Sequence, residues 1–171
     1  MPAKDILTDG YGRVREEVHA AVTGLGPDAL NTPPVPGTSS IARLVWHLTR
    51  IRDDHVADAF GRDQVRLAQG FEKRFALGLP RHDTGYGHTP EQAAGARGDS
   101  GGLLTGSYDA VHEQTLDVRR ALAAKDLARV VDERWHPPVS LGVRLGSGLS
   151  DDLQHAGQAA YVRGLLRRTE S

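Results

Sequence analysis

One rhythm constrains this chain more than anything else in it: apolar residues recur at alternating spacings of four and three. Leu7, Tyr11, Val14, Val18, Ala21 and Leu25 form a first stripe, and Ile41, Leu44, Leu48, Ile51 and His55 a second. Leu104, Tyr108, Val111, Thr115, Val118 and Leu122 form a third. Such spacing follows one face of a helix, whose 3.6 residues per turn bring i, i+4 and i+7 into a single row. A last segment, from about Val139 to Arg168, is predicted to turn Leu141, Leu145, Leu149, Leu153 and Ala156 inward. No alternating pattern of strand length competes. The fold class read from the sequence is therefore all-α, a four-helix bundle.

The breaks between stripes have their own chemistry. Gly24 and Gly26 stop the first helix, predicted over Ile6–Leu25. The Pro-rich NTPPVPG stretch (31–37) is followed by Thr38, Ser39 and Ser40, whose oxygens offer an N-cap for a second helix ending near Gly61. Residues 62–102 form a long crossover between the second and third helices. Inside it, Thr89, Pro90 and Gln92 have the order of an N-cap, a first-turn proline and a capping-box partner. A connection of that length in a compact domain is usually functional, which draws attention to Tyr86 and His88 within it. A short helical turn is expected around Leu127–Val131, before Pro137 and Pro138 reset the chain.

A length of 171 residues fits one bundle domain, 1–171, which buries a core without help from a metal or a disulfide. Any metal would be present for chemistry. With 21 Lys plus Arg against 22 Asp plus Glu, no segment concentrates basic charge, so nucleic acid is excluded as an expected partner. The chain has no cysteine, so a sulfur nucleophile has to arrive on a substrate. The opening MPAKDILTDG lacks the apolar core of a signal peptide, and no run reaches membrane-spanning length. The expected setting is cytoplasmic, with no membrane partner.

The GDSGG stretch, Gly98–Gly102, matches the surroundings of the serine nucleophile in chymotrypsin-like proteases. That serine works only when a β-barrel scaffold brings a histidine and a buried aspartate to it, and this chain reads as helical. Ser100 is better explained as the start of the third helix. In SDDLQHAGQAAYVRGLLRR (150–168), by contrast, Asp151, His155 and Gln158 share one row that Val162 and Leu165 continue. Two ligand-type side chains at i, i+4 can share an ion, with His47 on the second helix as third ligand and His55 in reserve. One carboxylate and two imidazoles leave positions open for water or substrate, as a catalytic metal requires. The alternative is an exposed Asp151 simply hydrogen-bonded to a half-buried His155, with His55 a satisfied core histidine.

Four blocks in order carry a resemblance: SIARLVWHLTRIRDDHVADAFG (40–61), TGYGHT (84–89), DERWHPPVSLGVRL (132–145) and DDLQHAGQAAYVRGLL (151–166). Together they resemble the DinB-like superfamily, and within it the actinobacterial branch of mycothiol S-transferases and mycothiol-dependent isomerases. The resemblance implies a divalent metal, zinc or nickel, held by His47, Asp151 and His155, with aspartate standing where the superfamily usually has histidine. It also implies mycothiol as thiol co-substrate. Gly146 and Gly148 depart from the apolar residues expected one turn before the ligands.

The function so implied is metal-dependent transfer of a low-molecular-weight thiol to an electrophile, in detoxification or metabolism. A mycothiol-dependent isomerase of the maleylpyruvate type and a non-catalytic ligand-binding or dimerisation bundle remain as alternatives. His55, Gln158 and Arg163 are the candidate substrate-binding residues, Arg163 for an anionic group. The partners expected are a small thiol, an electrophile and, since long exposed helices often pair, a second copy of the chain.

Overall fold

A computed structural model describes residues 2–169. Among the described residues the α-helices are, in chain order, α1 (Ala3–Val22), α2 (Pro27–Asn31), α3 (Ile41–Phe60), α4 (Val65–Ala68), α5 (Phe71–Phe75), α6 (Pro90–Gly95), α7 (Gly101–Arg120) and α8 (Leu141–Thr169). The long ones, α1, α3, α7 and α8, make the bundle. α8 packs on both α3 and α1, and α7 closes the other side against the same two, so α1 and α3 lie diagonally across from each other. Tyr11, Val14 and Val18 of α1, Leu44, Val45 and Leu48 of α3, Leu104, Tyr108 and Val111 of α7, and Ala156, Ala159 and Val162 of α8 are buried between them.

The helix ends follow local chemistry. Ser40 Oγ accepts the Arg43 amide at 3.2 Å to start α3, and Gly61, in the left-handed region at φ 60°, ends it. Ser100 Oγ accepts the Leu103 amide at 3.1 Å and starts α7, so the protease-like string is a helix cap. Thr89 and Gln92 form the capping box of α6 in both directions. Gly10 lets α1 pack closely on α8: a Cβ there would stand 2.8 Å from Leu149 Cδ2, and that side chain would have to shift.

Several expectations need correction. α1 ends at Val22 rather than Leu25. α2, α4 and α5 were not legible, being too short to show a period. The turn expected at Leu127–Val131 is a 3-10 helix over Ala124–Ala128. It is followed by an antiparallel pair, β1 (Val130–Asp132) and β2 (Val139–Ser140), which delays the start of α8 to Leu141. Leu153 is exposed rather than core. Spacings of four overshoot a helical turn by about 40° each, so by Leu153 the row begun at Leu141 has rotated out of the core. Its neighbour Asp152 faces inward instead and is fully buried.

That burial is balanced by Arg52 of α3, equally buried, which directs both Nε and Nη2 at Asp152 Oδ2. The guanidinium is enclosed by the rings of Tyr11 and Tyr108, 4.6 and 4.8 Å from their centroids, and Nη2 also donates to the Tyr108 hydroxyl at 2.9 Å. Burial is the largest single influence and opposes the arginine's charge, yet Asp152, Tyr108 and Tyr11 together outweigh it and raise its pKa. An arginine–carboxylate tie between α3 and α8 thus runs through the core, with burial pushing the Asp152 carboxyl up to about 7 against the pull of Arg52.

Candidate metal centre

One residue earlier on α8, Asp151 lies close to His47 of α3. His47, Asp151 and His155 each offer one ligand atom, and these atoms all lie within 4.8 Å of one another. Two ligands held at about 2.1 Å from one ion stand about 3–4 Å apart, so closure needs a side-chain adjustment of about 1 Å. The His47 and His155 rings meet edge to face, with centroids 4.8 Å apart. Nε2 of His155 is 3.5 Å from Asp151 Oδ1. The other carboxylate oxygen, Oδ2, is buried without a hydrogen-bond partner. A buried, unpaired carboxylate oxygen is costly on its own and suited to a cation.

Each imidazole is held at its other nitrogen. Nδ1 of His47 lies 2.6 Å from the Thr84 carbonyl, and Nδ1 of His155 lies 2.8 Å from Gln158 Oε1. The Thr84 carbonyl can only accept, so His47 carries its proton on Nδ1 and keeps its Nε2 lone pair free, as metal-binding histidines are usually arranged, whereas His155 is held between Gln158 at Nδ1 and Asp151 at Nε2. Burial is the main cause holding His47 down to about 4, so it is neutral near pH 7. His155 is raised above its ordinary value, chiefly by the hydrogen bond to Asp151. Between about pH 4.5 and 6.5 an incoming cation therefore competes with a proton on His155 and not on His47. Affinity is expected to fall as pH falls, with a slope of about one proton rather than two, measurable by titrating a metal across that window.

The remaining expected residues are placed as follows. Gln158 orients His155. His55 lies outside the triad, two turns along α3 from His47, with Nδ1 buried and unpartnered; a Cβ on Gly148 would be 3.7 Å from that nitrogen. Gly148 leaves ordinary van der Waals room there, and Gly146 faces open space. Arg163 donates to the Ala21 carbonyl at 3.0 Å, on the α1–α8 seam. In the crossover Tyr86 is exposed, whereas His88 is half-buried, with its ring against Asp83. Sequence reasoning missed Arg43, one turn before His47, whose Nη2 donates to the Gly85 carbonyl at 2.7 Å. Its i−4 spacing from a candidate ligand was the available signal. Thr84 gave none, because it acts through its backbone.

Beside the centre, Pro34, Thr38, Ser39, Leu44, Gln158, Tyr161 and Val162 line a cleft of about 300 Å³. Gln158 is shared between the cleft and His155. Leu44 and Val162 are buried at its apolar wall, and no charged side chain among the described residues lines it.

The model of the mycothiol S-transferase family matches residues 7–168, nearly the whole bundle and all three clustered side chains. The chain belongs to that family. Among solved structures it is similar to the conserved protein of a locus from Enterococcus faecalis, at 30% identity and a TM-score of 0.89, over 96% of this chain and 97% of that one. No curated protein matches the sequence. Family membership makes a thiol the co-substrate class and thiol transfer the reaction to be weighed against the geometry. Among the described residues, no helix is long and apolar enough to cross a membrane.

Proposed function

We propose that this mycothiol S-transferase family member transfers a low-molecular-weight thiol, mycothiol by its family, to an uncharged electrophile at a divalent metal held by His47, Asp151 and His155. The observation that carries the reading is the convergence of three ligand atoms, with His47 fixed at Nδ1 by the Thr84 carbonyl and His155 at Nδ1 by Gln158. A divalent ion there would supply the Lewis acidity that makes a thiol give up its proton near neutral pH. The chain's own residues do the rest. Thr84 and Gln158 hold the Nδ1 protons, and Asp151 contributes the charge that retains a cation. Arg43, whose charge lowers the pKa of His47, adds positive potential beside the centre and favours a thiolate over a thiol. The thiolate sulfur forms its bond to the electrophilic carbon, and the leaving group departs with the electron pair it held.

The cleft favours transfer over isomerisation. A maleylpyruvate-type substrate carries two carboxylates, and among the described residues no side chain lining the cleft is charged to receive one that the metal would not meet. Zinc and nickel both suit a set of two imidazoles and one carboxylate. The setting we propose is the cytoplasm, where small thiols are kept reduced, and the proposed assembly is a homodimer, which sedimentation would read directly.

The deciding experiment follows mycothiol consumption by the untagged protein with a neutral bimane and, separately, with maleylpyruvate, before and after chelation. The expected result is consumption of thiol with the bimane, its loss on chelation, and recovery on adding zinc or nickel. Turnover of maleylpyruvate in preference to the bimane supports the isomerase instead. Chelation without effect removes the metal from the mechanism.

A further inference from the structure

Three consecutive backbone carbonyls of the crossover are each met by a donor from one row of α3. Arg43, His47 and Arg50 stand at i, i+4 and i+7, hence on a single face. Arg43 Nη2 donates to Gly85 O at 2.7 Å, His47 Nδ1 to Thr84 O at 2.6 Å, and Arg50 Nε to Asp83 O at 3.2 Å. Arg66 of α4 adds a second donor to Asp83 O, from Nη1 at 3.2 Å. All four donor side chains are buried, so these are not solvent-exchanged surface contacts. The segment runs antiparallel to α3 and covers the histidine at its Nδ1 edge.

The loop's shape is fixed from within. Asp83 Oδ1 accepts the Gly85 amide at 2.6 Å, and His88 Nε2 lies 3.0 and 2.9 Å from the two Asp83 oxygens, closing the turn on itself. Gly85 adopts φ 79°, and a Cβ there would lie 2.8 Å from Trp46 Cζ3 and 3.0 Å from Arg43 Nη2. Only glycine lets the backbone approach α3 this closely.

We propose that residues Asp83–His88 are a positioning element for the metal centre: by presenting the Thr84 carbonyl, the loop locks His47 in the Nδ1–H tautomer and aims its Nε2 before any ion arrives. None of these residues is a ligand. They set affinity by removing the rotational and tautomeric freedom that a buried imidazole would otherwise lose on binding. His88 acts two steps away, through Asp83 and the turn, and Gly85 through its close approach. The inference rests on the reading of His47 as a ligand.

The test uses the full chain freed of metal and titrated with Co²⁺, whose visible absorption reports the ligand field, alongside the His47 tautomer read from imidazole ¹⁵N resonances of the metal-free protein. His88→Ala and Gly85→Ala are each expected to weaken Co²⁺ binding about tenfold or more. His88→Gln, which keeps a donor for Asp83, is expected to stay within about threefold of the parent. The parent should show Nδ1–H at His47, and Gly85→Ala a mixture of both tautomers. Parental affinity in both weakened variants overturns the proposal, as does an Nε2–H tautomer in the parent. A His88→Gln variant as weak as His88→Ala also overturns it, reducing the loop to a structural support. If the parent binds no Co²⁺, the metal reading fails by itself, while the tautomer comparison still decides what the loop does to His47.

Discussion

His47→Ala is expected to release the metal almost entirely, with affinity falling by at least about 100-fold and thiol transfer falling with it. A site with three protein ligands shares a binding free energy on the order of 10 kcal/mol among them, so each carries on the order of 3 kcal/mol. The loss cannot be made good locally. His55 is two turns away along α3, and its neighbours at Gly148 and Tyr11 place it outside the triad. Folding should survive, because His47 contributes one ring at the edge of the bundle while Leu44 and Leu48 beside it hold the core. Metal content after dialysis and the unfolding midpoint of the metal-free protein, measured together, separate these effects. Retention of one ion per chain in the variant would remove His47 from the ligand set.

The second large effect lies one residue from a ligand and concerns stability. Asp152→Ala leaves the Arg52 guanidinium fully buried with no carboxylate, its remaining neighbours being two phenol rings and His112. Breaking a buried ion pair from one side costs about 3–5 kcal/mol. In a chain of this length that lowers the midpoint of thermal unfolding by roughly 10 °C. Removing both charges with a packed pair, Arg52→Met with Asp152→Leu, is expected to recover much of the loss, since the desolvation of two charges goes with them. Thermal unfolding of the two variants at neutral pH checks this. An Asp152→Ala protein as stable as the parent would show the pair to be energetically idle.

The bundle was legible because its signal repeats. Tyr11, Val14, Val18, Ile41, Leu44, Leu48, Leu104, Tyr108 and Val111 were assigned to the core by period alone, and all are buried. Ser40, Ser100 and Thr89 were readable as caps because a hydroxyl at a helix start has few other uses. His47, Asp151 and His155 were singled out by residue type and spacing, and the structure brings them together.

What stayed hidden depended on backbone or on accumulated rotation. The Thr84 carbonyl carries no side-chain signature, so the partner of His47 was invisible although TGYG was noticed. Arg52 reads as a polar residue on a helix, and nothing in its neighbourhood announces a carboxylate a hundred positions later that comes to lie against it. Leu153 was misplaced for the same geometric reason that hid Asp152: a drift of about 40° per step separates a stripe from a seam.

The adjacent aspartates of α8 are placed in opposite ways, one beside His47 and His155 and the other sealed against Arg52, and about 100° of helix separates them. Gaining or losing one residue upstream within α8 would rotate both out of place together, ending ligation and stranding a charge in the same event. A residue inserted at the hairpin tip, 133–138, is expected to be tolerated far better than one inside α8, because it leaves the angular register of the helix unchanged.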